Sequence, residues 1–126
     1  MPGIAWSVSA GANQAGGLRA SGSFEADAVV SAEATVDADS SRALELQIED
    51  VARVLLLMVT CSRYDGSVTL TGGATDDPAL VLTGPIAAFG AAAERLAASL
   101  GTVTVEVAAD PDSPATVTFF LATSLS

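Results

Sequence analysis

The side chains that could bind a metal ion in this 126-residue chain are mainly carboxylates, because the sequence contains no His. Two candidate pairs are closely spaced: Asp37 with Asp39, and Asp110 with Asp112. Carboxylate oxygens are the ligands that Ca²⁺ prefers, but neither pair has the spacing of a calcium-binding loop. The residues of 110–114, Asp-Pro-Asp-Ser-Pro, are typical of a turn. We therefore expect no metal ion and no other cofactor.

Catalytic chemistry has few candidates. Paired carboxylates can hydrolyse glycosides, and Glu45, Glu49 and Glu94 are the residues to consider. Glu45 and Glu49 lie on the polar side of an alternating segment, which already explains them. Cys61 could be a nucleophile, but the chain has no His to activate its thiol. The sequence thus favours a protein that is not an enzyme, with no catalytic residue.

The cluster Arg63, Tyr64 and Asp65 is the best candidate for an interface. Arg and Tyr are residue types that anchor protein–protein contacts. The alternative is a surface turn with a local pair between Arg63 and Asp65, which contributes under about 1 kcal/mol when exposed. The sequence leaves both interpretations open.

Alternation of apolar and polar residues is the main structural signal, and it predicts half-buried strands. Leu44, Leu46 and Ile48 alternate with Glu45, Gln47 and Glu49 in the clearest case. The same pattern occurs near the start (Ile4, Trp6, Val8), over 28–36, 67–71 and 79–83, and over 102–108. The turn at 110–114 predicts a further strand over 115–122.

Val54–Val59 is apolar on both sides, which predicts a central strand, with a short buried helix beginning at Glu49 as the alternative. Asp65-Gly66 predicts a hairpin between 54–62 and 67–71. The Gly-rich stretch 10–17 predicts another loop or hairpin.

One segment has helical spacing. Apolar residues at three- and four-residue intervals predict a helix over 86–100: Ile86, Phe89, Ala93, Leu96 and Leu100. Gly90 disfavours its middle, so the competing interpretation is a strand ending at Phe89 and a shorter helix beginning near Gly90. The predicted fold is a mainly β single domain over 1–126. It is an antiparallel, jelly-roll-like β-sandwich of about eight strands with one short helix near 86–100.

The charge balance excludes several partners. Five Arg, no Lys and 15 acidic residues give a net charge of −10. Phosphate binding needs a basic surface, so we expect no direct nucleic-acid binding, and anionic membranes are disfavoured too. Cys61 is alone and cannot form an intramolecular disulfide. The first residues, Met-Pro-Gly-Ile-Ala-Trp, do not have the pattern of a signal peptide.

Four short groups of residues carry a resemblance to known proteins. They are Trp6–Ser9 with Gly11, Ser62–Gly66, Leu82–Pro85 with Phe89–Gly90, and Pro114–Thr118. Together they resemble small β-rich structural proteins of the virions of tailed bacteriophages. The resemblance implies structural roles for these residues and no catalytic role.

This resemblance implies a virion protein, made in the host cytoplasm, that assembles with copies of itself and with other virion proteins. It would be a head decoration (cement) protein or a tail-tube subunit. The absence of Lys agrees, because Lys protects sheet edges from pairing, and edges without it can be covered by neighbouring subunits. The alternative function is a small binding module, either lectin-like or a receptor-adhesion domain.

Overall fold

The computed structural model describes residues 3–12, 16–46, 48, 50–72 and 79–124. This part of the chain forms ten β-strands, one α-helix and a short 3-10 turn at Val51–Arg53. The strands are β1 Gly3–Ala12, β2 Gly16–Glu25, β3 Ala28–Val36, β4 Ser40–Glu45, β5 Val54–Cys61, β6 Val68–Thr71, β7 Leu80–Val81, β8 Ile86–Phe89, β9 Thr102–Val107 and β10 Ala115–Thr123, and the helix is α1 Ala91–Leu100.

Eight of these strands form two four-stranded sheets with the orders β3-β10-β5-β8 and β4-β9-β6-β7. Every neighbouring pair is antiparallel. From β3 to β10, every connection between consecutive strands crosses from one of these sheets to the other, except the one between β6 and β7. This is the strand order of a jelly roll, so the predicted antiparallel sandwich is confirmed.

The main core lies between the two sheets because alternate residues of each strand point inward. Phe119 of β10 is its largest fully buried side chain. Around it lie fully buried aliphatic residues from both sheets: Leu57, Val59, Val68, Leu70, Val103, Val105 and Val117. Leu46 is also buried in this core, and the partly buried Leu44 and Ile48 pack against the core. The strand predicted over 44–49 needs correction, because β4 ends at Glu45 and Leu46 and Ile48 lie outside any strand; Gln47 and Glu49 are not among the described residues.

The apolar run at 54–59 is a strand, as predicted. β5 lies in the middle of its sheet, between β10 and β8. Its Leu57 and Val59 face the main core, whereas Leu56 belongs to a second cluster on the outer face of the same sheet. Burial on both sides explains why the run has no polar alternation.

Two further local predictions need correction. The helix begins at Ala91 and residues 86–89 form β8, so the shorter-helix alternative is the right one. Gly90 adopts φ 59°, a conformation that favours glycine, and it separates the strand from the helix. The hairpin predicted at Asp65-Gly66 is wrong, because β5 and β6 belong to different sheets. Gly66 does make a tight turn at φ 86°, but that turn crosses the sandwich.

Candidate interaction site

Strands β1 and β2 form a two-stranded antiparallel sheet of their own, which we call the arm. The register runs from Gly3 opposite Glu25 to Ala12 opposite Gly16. Ten paired residues give the arm a length of about 34 Å. The hairpin expected at 10–17 is therefore present, although residues 13–15 lie outside the described part. The rest of the fold, β3–β10 with α1, is called the body.

The arm is amphipathic because residues directly opposite in an antiparallel pair share a face. One face carries apolar side chains along its length: Ile4, Trp6, Val8 and Ala10 of β1, with Leu18, Ala20 and Phe24 of β2. The other face carries mostly small or polar side chains: Ala5, Ser7 and Ser9, with Arg19, Ser21 and Ser23. Such a pattern is typical of a sheet that is covered on one side only.

The proximal part of the apolar face packs on the body. Ile4 and Phe24 are half-buried against the second cluster, whose buried members are Ala26, Leu56 and Ala122. The Trp6 ring lies against Phe89 with 4.6 Å between ring centroids, at an interplanar angle of 47°. These contacts attach the arm to the outer face of the β3-β10-β5-β8 sheet.

Gly22 makes room for the indole. It lies opposite Trp6, and a Cβ atom built on Gly22 would be 2.8 Å from Cζ2 of that ring. Carbon atoms in contact normally stay about 3.5–4.0 Å apart, so a larger residue would displace the ring. Sequence reasoning treated neither Gly22 nor Phe24 as part of a site, since their pairing becomes visible only through the strand register.

An open groove runs beside β1, between the arm and the body. It is lined by residues 3–8 of β1 and by Leu56, Met58, Phe89 and Phe120 of the body, and its volume is about 430 Å³. Met58 and Phe120 are half-buried. The groove brings together three of the six aromatic side chains of the sequence, Trp6, Phe89 and Phe120.

The distal part of the arm is exposed on both faces. Val8 is 43% exposed and Leu18 is 74% exposed, although both lie on the apolar face. Ala10 and Ala20, on the same face, are exposed as well. The apolar face therefore continues beyond the body without cover from the described residues.

Arg63, the centre of the predicted interface cluster, is held mainly by contacts within the chain. Its Nε donates a hydrogen bond to Oγ of Ser67 at 2.8 Å. Its Nη1 donates to the carbonyl oxygen of Ser113 at 3.0 Å and to Oγ of the same residue at 2.6 Å. These bonds tie the β5–β6 turn to the loop before β10. The side chain is 17% exposed.

The other two residues of that cluster also make local contacts. The Nε atom of Arg63 lies 3.8 Å from Oδ1 of Asp65, which is the local pair that the sequence left as an alternative. The hydroxyl of Tyr64 accepts a hydrogen bond from the backbone N–H of Cys61 at 3.0 Å. Tyr64 remains 37% exposed. A role of the three residues in an interface stays a prediction.

Hydrogen bonds hold Asp65 in its charged form. Both the hydroxyl and the backbone N–H of Ser67 donate to Oδ1 of Asp65. These bonds, with a smaller contribution from the Arg63 guanidinium, lower the pKa of the Asp65 carboxyl below its ordinary value. The ionised carboxylate fixes the turn that leads into β6.

The remaining described candidates for chemistry lie in turns, at strand ends and on the helix. Among the described residues, no group of three His, Cys, Asp or Glu side chains could hold a metal ion. Asp37, Asp39, Asp110 and Asp112 lie in two turns that connect strands of the two sheets. Glu45 and Glu94 are exposed, one at the end of β4 and the other in the first turn of α1. Cys61 is half-buried against the main core. Within the described residues, no helix is long and apolar enough to cross a membrane.

The fold and surfaces can be compared with known proteins. No protein-family model, no curated protein sequence and no solved structure matches this chain. Jelly rolls host many unrelated functions, so the fold alone does not select one. The arm, the groove and the charge distribution are the features of this chain that bear on its function.

Proposed function

We propose that this chain is a non-enzymatic structural subunit of the virion of a tailed phage or phage-like particle, and that it assembles through self-complementary surfaces. The observation that carries the proposal is the arm. Its distal part exposes apolar side chains on a two-stranded sheet, and a hairpin of this kind is only marginally stable in water by itself. A neighbouring subunit that covers the arm would remove both problems.

The composition supports the same proposal. With no Lys in the chain, the strand edges lack the residue that most often prevents edge-to-edge pairing. A net charge of −10 keeps free subunits soluble before assembly. In a tail tube, acidic side chains facing the lumen would let DNA pass without binding. Jelly rolls also occur in viral capsid proteins, which adds an argument by analogy.

Electron microscopy of the purified protein tests this proposal. Stacked rings in negative stain would identify a tail-tube subunit. Decoration would be identified by particles that bind phage heads lacking their own decoration protein. A protein that forms no assembly and binds no head at high micromolar concentration would contradict both roles.

The groove favours a second candidate function, a lectin-like binding module. Trp6, Phe89 and Phe120 present aromatic rings along one open groove, and such rings can pack against sugar rings. Lectin domains also use the jelly-roll fold. A glycan array separates the two proposals: a glycan signal that is lost in Trp6→Ala would favour the lectin, whereas assembly without glycan binding would favour the virion subunit.

A further inference from the structure

The free edge of β1 has none of the residues that usually prevent another strand from pairing with it. Gly3–Ala12 contains no charged residue and no Pro, although β1 pairs only with β2. The edge strand β2 carries Arg19 and Glu25, β3 carries Glu33, and β4 carries Arg42 and Glu45. The edge strands β7 and β8 are only two and four residues long. Among the described strands, β1 is thus the long edge with none of the usual barriers to pairing.

The groove lies along this edge. Residues 3–8 of β1 form one side of it, and Leu56, Met58, Phe89 and Phe120 form the other. A strand added to β1 would place the apolar side chains of one of its faces over Met58 and Phe120. It would also place a third strand beside an arm that has only two, and at least three strands are needed for independent stability.

We propose that the occupant is β1 of a second copy of this chain, paired antiparallel about a two-fold axis. The inference rests on the proposed function and names the surface through which copies meet. A register centred on Ser7 puts Val8 of one copy opposite Trp6 of the other, and Ala10 opposite Ile4. Even-numbered residues then face even-numbered residues, so the apolar faces of the two arms form one continuous surface. Residues 6–11 of each β1 then lie beside residues 3–8 of the other copy, which line its groove.

The β1 edge is an uncharged surface on which two copies can meet despite their net charge. Two molecules of net charge −10 repel each other, so they approach most easily where neither presents a carboxylate. The side chains of β1 and the four body residues of the groove are all uncharged. Pairing over Ile4–Ala10 would form about six to eight backbone hydrogen bonds, within the ~10 ± 5 of an ordinary interface. A two-fold contact closes on itself, whereas a ring needs head-to-tail contacts, so this pairing favours the decoration role over the tail tube.

Lysine substitutions at two matched positions test the pairing. Ser7 and Ser21 lie opposite each other in the arm, share a face and are both exposed. Ser7 is on the β1 edge and Ser21 is on the β2 edge. In the proposed dimer Ser7→Lys brings two ammonium groups together at the two-fold axis. It should raise the dimer dissociation constant about tenfold or more, as measured by sedimentation equilibrium. Ser21→Lys should leave this constant unchanged.

Cysteine cross-linking gives a second measurement that does not depend on stability. In a Cys61→Ser background, Ser7→Cys should form a disulfide-linked dimer on mild oxidation, because opposite residues in a strand pair lie about 4.5–5.5 Å apart at Cβ. The matched Ser21→Cys protein should stay monomeric on a non-reducing gel.

The outcomes separate this inference from the proposed function. If the protein assembles but Ser7→Lys has no effect, the β1 pairing is wrong while self-assembly stands. If Ser21→Lys and Ser21→Cys show the effects instead, the contact uses β2 and the inference is overturned. A native protein that stays monomeric at high micromolar concentration overturns both the pairing and self-assembly.

Discussion

Replacing Gly22 with Ala tests whether the Trp6 ring holds the arm against the body. The new Cβ atom would lie 2.8 Å from Cζ2 and 3.0 Å from Cε2 of Trp6, so the ring must move away from Gly22. Crowding of this kind costs about 1–3 kcal/mol. Replacing a glycine by alanine inside a strand also stabilises the folded state by about 0.5–1 kcal/mol, because the unfolded chain loses conformational freedom. We therefore expect a net loss of up to about 2.5 kcal/mol in the free energy that holds the arm in place.

The assay is intrinsic fluorescence, because Trp6 is the only Trp in the sequence. Displacement of the indole from Phe89 into water should shift its emission to longer wavelength in Gly22→Ala. Gly3→Ala is the matched control, since a Cβ atom on Gly3 would have no other atom within 4 Å. The control should keep the native emission and gain stability in urea. The reasoning is refuted if Gly22→Ala keeps the native emission and gains as much stability as Gly3→Ala.

Three further predictions concern the body. Arg63→Ala should lower the free energy of unfolding, measured by urea titration, by about 1–2 kcal/mol, because its charged hydrogen bonds are lost. Part of this loss is offset, since Nη2 of Arg63 is buried without a hydrogen-bond partner among the described residues. Arg95 is exposed, and Arg95→Ala should change the free energy of unfolding by less than about 0.5 kcal/mol. Equal effects of the two substitutions would contradict the stabilising role of the Arg63 hydrogen bonds. Because the folded-state pKa of Asp65 is lowered, its stabilising contribution is present above the ordinary value of 3.8 and lost as pH falls through the folded pKa. The difference in unfolding free energy between wild type and Asp65→Asn, measured by urea titration, should therefore shrink below that pH. A difference that grows in acid would contradict a lowered pKa of Asp65 in the folded state. Gly90→Ala should cost about 1–3 kcal/mol because φ is 59°, whereas Gly101→Ala, at φ −55°, should be tolerated; thermal melts of the two variants decide this.

The sequence predicted the elements of the body better than their connections. Alternation at Leu44, Leu46 and Ile48 indicated side chains that do contact the core, because side-chain period is a local property, but the strand itself ends at Glu45. The hairpin predicted from Asp65-Gly66 was wrong, because a glycine with positive φ occurs both in hairpin turns and in turns that cross between sheets. Strand order depends on pairs far apart in the chain, such as β3 with β10, and local pattern does not encode them.

The candidate site was harder to predict than the fold. Alternation at Ile4, Trp6 and Val8 indicated a strand with one apolar face, but the same pattern fits a core strand. What distinguishes the arm is that, among the described strands, β1 and β2 pair only with each other. Their register places Gly22 opposite Trp6, and Leu18 is exposed. By contrast, the local pair of Arg63 with Asp65 could be foreseen, since both residues belong to one turn.

Self-assembly is the central claim, and the molar mass of the native protein in solution tests it most directly. Multi-angle light scattering on fractions from a sizing column, from low to high micromolar loading, reports that mass without any substitution. The account predicts a mass that rises with concentration to a multiple of the 12.5 kDa chain. A mass that stays at 12.5 kDa over the whole range would contradict it.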